Sequence, residues 1–179
     1  MEYELYHHGI KGQKWGVRRY QNLDGSLTAA GKRRMKYIKN ASNIAYNNAE
    51  RLRKESDKVK ENNRQLHENY DGKDGWKEYA KDAYDTIDSK DYGLTEKEFK
   101  KWMSDELKGN LKRSDAYDNA KITKYDRAEK KWRDFSKALD RITVNDITKE
   151  SIRSAKIFCL TQNLGEITLD ELVEQAELY

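Results

Sequence analysis

The chain has 179 residues, of which 38% are charged and 36% hydrophobic, and this balance excludes a large, deep apolar core. The net charge of +4 is uneven, because residues 1–40 carry nine Lys and Arg against three acids, whereas the last 23 residues carry five acids and no Lys or Arg. No apolar run approaches the ~20 residues that span a bilayer, so we expect no membrane partner and a protein of the cytosol.

Residues 1–28 form the first predicted element, a basic segment rich in glycine and aromatic residues. Four glycines between Gly9 and Gly25 interrupt any helical periodicity, and residues 22–25 (Asn-Leu-Asp-Gly) are a turn signal. A segment of this size cannot fold alone. We therefore predict a small irregular or hairpin-containing N-terminal module, in which Trp15 and Tyr20 pack onto the rest of the chain.

The basic and aromatic side chains of this module are the candidate binding residues. Lys and Arg pair with phosphates, aromatic rings stack on bases, and glycine lets a partner approach the backbone. The run of cations that follows would extend the same surface onto a helix. The residues predicted to bind nucleic acid or a partner are Lys11, Lys14, Trp15, Arg18, Arg19, Tyr20, Lys32, Arg33 and Arg34.

A long amphipathic helix is predicted over residues 29–72, with Thr28 as its N-cap. Its less polar positions recur mostly at steps of three, four or seven, which is one narrow helical stripe. These positions are Met35, Ile38, Ser42, Ala45, Ala49, Leu52, Val59 and Leu66. The other faces are charged or carry amides, so the helix is expected to have a single thin contact seam.

Residues 73–179 are predicted to form a helical body. Its first helix has an apolar stripe from Trp76 to Ile87. The second begins at the capping box of residues 95–98 (Thr-Glu-Lys-Glu), and Gly109-Asn110 is expected to end it. A further helix is predicted over about residues 114–141.

Two more helices are predicted near the end of the chain. Thr148 caps a helix that ends near Gly165, and Thr168 caps an acidic C-terminal helix. Cys159 lies in an apolar run, so we expect a buried, inert thiol, and a lone cysteine excludes an intrachain disulfide. The predicted fold class is mainly α, an elongated helical bundle with the small N-terminal module attached.

The sequence predicts neither a metal site nor a cofactor. One Cys and three His provide no ligand pairs at the spacing of zinc sites, and two loops that resemble calcium sites lack acids at the liganding positions. His7 and His8 could exchange protons near neutral pH beside the cations of the module, so they are the weak catalytic candidates for RNA cleavage. His67 is expected on an exposed helical face. Enzymatic activity stays open, with binding favoured over catalysis.

The residues from His8 to Gly31 read HGIKGQKWGVRRYQNLDGSLTAAG. They resemble a motif, roughly HGxKGxKWGxRRYQNxDG(S/T)LTxxG, that is common in proteins of phages and prophages of Gram-positive bacteria. In that group the motif is attached to varied bodies, many of them structural or head-associated. The resemblance covers a small part of the chain, and it implies a phage or prophage origin without implying one activity.

Three functional hypotheses follow. The first is a phage-encoded binding protein of the bacterial cytoplasm that inhibits a host defence ribonucleoprotein or nuclease, most concretely a Cas9-type CRISPR effector. Its basic module would contact RNA or DNA and its helical body would contact protein. The second is a virion or head-assembly protein, in which the motif docks on capsid or portal. The third is a small metal-independent RNase. The anti-CRISPR analogy rests on size, source and charge, and the oligomeric state is left open.

Overall fold

The structure is a computed structural model, and it describes residues 20–22, 24–70, 80–81, 83–84, 93–162 and 167–179. Helices account for most of these residues and for more than half of the chain, which confirms the mainly α fold class. The four with defined ends are α1 (Ala29–Tyr70), α2 (Glu96–Asp140), α3 (Lys149–Gln162) and α4 (Leu169–Ala176). None of the helices in the described ranges has both the length and the apolar character of a membrane span.

Two shorter features complete the described backbone. Residues 80–81 and 83–84 are helical and lie inside the first predicted helix of the body, whose remaining residues are outside the described ranges. An isolated antiparallel bridge joins Gln21 to Leu27, and no longer strand occurs in the described part of the chain. The described end of the N-terminal module is therefore irregular, with one hairpin-like turn.

Helix α1 begins and runs as its sequence predicts. The Thr28 hydroxyl accepts the Gly31 N–H at 3.1 Å, which is the N-cap bond. The predicted stripe is confirmed from Ile38 to Val59, since its members in that span are all buried. Met35 and Leu66, at the two ends of the stripe, are half-buried. Because no proline interrupts the 42-residue helix, it continues to Tyr70.

Helix α2 departs from the sequence prediction, because it is continuous over 45 residues and Gly109-Asn110 does not end it. A glycine inside a helix costs only about 1 kcal/mol relative to alanine. Ser104 and Leu111 are buried on either side, so both flanking turns belong to the packed face. The Thr95–Glu98 capping box is confirmed, with the Thr95 N–H donating to the Glu98 carboxylate at 2.9 Å.

The chain divides into two compact units. Unit 1 comprises Met1–Asn48, Trp132–Thr168 and Tyr179, and unit 2 comprises Ala49–Lys131 and Leu169–Leu178. Both long helices therefore contribute residues to each unit. The two units differ in the chemistry of their cores.

The core of unit 1 is aromatic. Trp132 is fully buried, and its ring centroid lies 6.0 Å from that of Phe158. Phe135 and Tyr179 stack with their centroids 4.2 Å apart. A polar contact lies beside this cluster, where the Ser42 hydroxyl donates to the Asp140 carboxylate at 2.6 Å. A few large rings thus supply apolar area that the composition otherwise lacks.

Unit 2 combines an apolar core with a polar seam. Leu52, Phe99 and Leu172 are fully buried. Along the seam the Ser56 hydroxyl donates to the Asp126 carboxylate at 2.5 Å, and other polar pairs continue it towards the end of α1. Residues later in α1 pair with residues earlier in α2, so the two helices run antiparallel within this unit.

Candidate interaction surface

A tight turn precedes α1 at the end of the N-terminal module. The Asn22 N–H donates to the Ser26 carbonyl at 2.7 Å, and Gly25 has a φ of +83°. That left-handed conformation is one that glycine adopts without steric cost. Hydrogen bonds from the side chain and the backbone of Ser26 lower the pKa of the Asp24 carboxyl. The turn predicted from residues 22–25 is confirmed by these bonds.

The turn packs closely on the first turn of α1, and Gly31 makes this approach feasible. The Thr28 N–H donates to the Tyr20 carbonyl at 3.0 Å. A Cβ atom added at Gly31 would lie 2.2 Å from the same Tyr20 oxygen. No side chain larger than hydrogen fits that gap. The close contact between Gly31 and the Tyr20 carbonyl therefore explains why a glycine stands at this position.

Arg34 ties the turn to the rest of unit 1. Its guanidinium donates to the Tyr20 hydroxyl at 2.8 Å, and its carbon Cζ lies 4.6 Å from the centroid of the Tyr20 ring. The same guanidinium donates to the Ile147 carbonyl in the segment between α2 and α3. These contacts confirm that Tyr20 packs the module onto the helices. They also make Arg34 an anchor of the turn, with less of its guanidinium free for a phosphate.

Exposed cations cover the start of α1. Lys32, Arg33, Lys36 and Lys39 are exposed and lie within one arc of the helix, and we call them the basic patch. No acid occurs between Asp24 and Glu50. Cations near a helix N-terminus oppose the helix dipole, at a cost of about 0.3–1 kcal/mol for each one in the first turn. An acid-free cationic start is thus unfavourable for the helix itself and concentrates positive field on one surface.

The positive charge extends over unit 1 as a whole. Unit 1 contains 15 Lys and Arg against eight acids, a net charge of +7, whereas unit 2 contains 21 against 24, a net charge of −3. Lys156 of α3 lies beside α1, with its ammonium 4.7 Å from the centroid of the Tyr37 ring. The charge asymmetry seen along the sequence therefore corresponds to a difference between two compact units.

Several predicted site residues lie outside the described ranges. They are the binding candidates Lys11, Lys14, Trp15, Arg18 and Arg19 and the catalytic candidates His7 and His8. Among the other candidates, Lys32 and Arg33 are exposed in the basic patch, whereas Tyr20 and Arg34 contact each other. The structure thus brings together the described end of the module and the first turns of α1.

The remaining sequence expectations concern single side chains. His67 lies on the long helix α1 as expected, but its side chain is only 32% exposed, because its Nε2 atom lies 2.6 Å from the Asp115 carboxylate in the seam of unit 2. Cys159 is buried as predicted, and burial raises the pKa of its thiol. No cluster of three or more His, Cys, Asp or Glu in the described ranges is arranged to hold a metal ion.

Comparison with known proteins matches only the start of the chain. Residues 1–22 match the model of a family of unknown function, DUF7211. Neither the curated proteins nor the solved structures gave a match. The match ends within the turn, so its last residues include Tyr20, which contacts Gly31 and Arg34.

Proposed function

We propose that this chain is a phage-type binding protein that engages a nucleic-acid-containing host complex through the basic surface of unit 1. The observation that carries the proposal is the acid-free start of α1, with Lys32, Arg33, Lys36 and Lys39 exposed beside an anchored turn. Surface cations gain affinity for a polyanion by releasing its condensed counterions. The predicted Lys11, Lys14, Arg18 and Arg19 would add to the same surface.

Anchoring of the turn supports this role because it reduces the conformational entropy lost on binding. The bonds of Arg34 to Tyr20 and Ile147 hold the turn against α1 before any partner arrives. The protein would then act by occupying its partner. The most specific form of the proposal is a Cas9-type CRISPR effector, whose guide RNA is the polyanion that the basic surface would contact.

Head assembly is a second candidate, and the extent of the family match favours it. The match covers residues 1–22 and leaves the helices unmatched, as expected for a docking tag joined to varied bodies. In that case the basic segment would bind capsid or portal protein. The RNase hypothesis depends on His7 and His8 and has no support from the described residues.

Binding of labelled single-stranded RNA across a salt series tests the leading proposal. The double variant Lys32→Gln/Arg33→Gln should lower the log–log salt slope by about 1.5, since each lost phosphate contact removes about 0.7–0.9. Lys54→Gln/Lys58→Gln is the matched control, because these two exposed lysines lie on α1 in unit 2. Equal salt slopes for the two double variants would show that the basic patch does not bind the RNA.

A pull-down from a CRISPR-bearing bacterial host, with and without ribonuclease, distinguishes the partners. Ribonuclease-sensitive capture of a nuclease supports the leading proposal. Capture of capsid or portal protein that resists ribonuclease supports head assembly. Loss of RNA from the sample in the presence of wild-type protein, but not of His8→Ala, would establish the RNase instead.

A further inference from the structure

A cavity of about 350 Å³ lies in unit 2, between α2 and the start of α4. It is lined by Tyr117, Ala120, Lys121, Lys124, Tyr125 and Asp170, and we call it the tyrosine–lysine cavity. Its volume falls at the lower end of the range of small-ligand sites. The small side chain of Ala120 leaves room between the longer side chains on the same helix.

The aromatic side chains of this cavity differ in burial. Tyr117 is 69% exposed, although exposing so much of a large ring gains nothing for folding. Tyr125, two turns further along α2, is buried, and the Lys121 ammonium lies 5.7 Å from the centroid of its ring. Tyr125 therefore forms a buried part of the cavity wall, whereas the ring of Tyr117 is largely exposed.

Two lysines line the cavity, and acids of α4 lie near one of them, since Asp170 and Glu174 both raise the pKa of Lys124. Lys121 forms no ion pair with any carboxylate of the described residues. Lys124 pairs with Asp170 at 3.0 Å, and the Asp170 side chain is 78% exposed. An ion pair in that much solvent is weak and exchanges readily for a phosphate. By contrast, Lys131 further along α2 is held by Glu177 at 2.7 Å.

We infer that the tyrosine–lysine cavity holds one nucleotide of a single-stranded nucleic acid, with the base stacked on Tyr117 and the phosphate bound by Lys121 and Lys124. An exposed ring beside a cation is the combination that sequence-independent single-strand binding uses. The inference deepens the proposed function and rests on it, since the strand is the nucleic acid of the partner. The contact on unit 2 is separate from the basic patch of unit 1.

Anisotropy of a fluorescently labelled uridine 12-mer tests the base contact. Tyr117→Leu should weaken binding by about fivefold to a hundredfold, whereas Tyr117→Phe should retain it, because only the first removes the stacking face. Tyr46→Leu is the matched control, since Tyr46 is also exposed and belongs to unit 1. Both positions are on the surface, and circular dichroism checks that each of the three variants folds.

The sign of the charge effect tests the phosphate contact. Lys121→Gln should lower the salt slope by about 0.7. Asp170→Asn should tighten binding by up to about fivefold, because it releases Lys124 from its partner. Weaker binding by Asp170→Asn would overturn the inference, since a cationic ligand is then indicated.

Two competitors distinguish affinity for the base from affinity for the phosphate. Uridine 5′-monophosphate should compete weakly at this one site, and tripolyphosphate, which has no base, should bind Tyr117→Leu and wild type equally. Loss of 12-mer binding in Lys32→Gln/Arg33→Gln but not in Tyr117→Leu overturns this inference alone and leaves the proposed function intact. Absence of 12-mer binding by the wild-type protein overturns both.

Discussion

Replacing Gly31 with alanine should destabilise the protein, although alanine is the better helix former. The new Cβ would lie 2.2 Å from the Tyr20 carbonyl oxygen, so the turn must move away by about 1 Å to reach ordinary contact. That movement breaks the Thr28–Tyr20 backbone bond, worth about 1 kcal/mol, and weakens the charged Arg34–Tyr20 bond, worth about 1.5–3 kcal/mol. The higher helix propensity of alanine offsets about 1 kcal/mol of this loss in stability. The expected net loss is about 2 kcal/mol, which is about 4–8 °C in Tm.

Gly109→Ala is the matched control for this prediction, because Gly109 also lies inside a helix but in open surroundings. A Cβ there meets only the Arg113 guanidinium, at an ordinary 3.6 Å. This variant should therefore gain about 0.5–1 kcal/mol from propensity alone. Urea unfolding followed by circular dichroism measures both changes. If Gly31→Ala is as stable as Gly109→Ala, the close contact between Gly31 and Tyr20 does not exist.

Three further predictions concern the cores of the two units. Trp132→Ala should lower the free energy of unfolding by about 3–5 kcal/mol in a urea titration, because the indole is fully buried, and a loss below 1 kcal/mol would place it at the surface. Ser56→Ala should cost about 1 kcal/mol by the same assay through loss of its bond to Asp126, and no change would mean that water replaces the hydroxyl. Hydrogen bonds from His67 and Asn63 lower the pKa of Asp115, so their stabilisation is present above about pH 4 and is lost as the pH falls below it. Acid titration should therefore destabilise wild type more than Asp115→Asn, and parallel curves would contradict this.

Local signals in the sequence predicted most of the helical architecture. The N-cap at Thr28, the capping box at Thr95 and the stripe of α1 depend on residues within a few turns of one another, and all three are confirmed. The predicted break at Gly109 is wrong because a small local penalty is outweighed by packing on both sides. Local propensity is thus a good guide where tertiary contacts agree with it.

The sequence predicted that Tyr20 packs on the rest of the chain, but it could not predict the partners of that anchor. Arg34 is 113 residues from Ile147, and nothing near either residue signals their contact. Arg34 was predicted to bind phosphate because a guanidinium suits phosphate well, but its N–H groups also donate to a hydroxyl and a carbonyl in this structure. The partner of His67 was missed for a related reason, since Asp115 lies on another helix. Only Gly31, a glycine within the first turn of a helix, carried a sequence signal of close backbone approach.

The polar seam of unit 2 has a consequence for how its two helices find their alignment. Apolar side chains such as Leu52 and Val59 supply most of the burial of α1 in this unit, and apolar contact is non-directional, so it specifies an alignment less sharply than a hydrogen bond does. Ser56 with Asp126 and Asn63 with Asp118 form two matched pairs, seven residues apart on one helix and eight on the other. Sliding by one turn would separate the Ser56 hydroxyl and the Asn63 amide from the carboxylates that they now bind, at about 0.5–1.5 kcal/mol for each lost bond. These pairs therefore favour one alignment of α1 with α2 in unit 2, in a contact whose strength comes mainly from apolar burial.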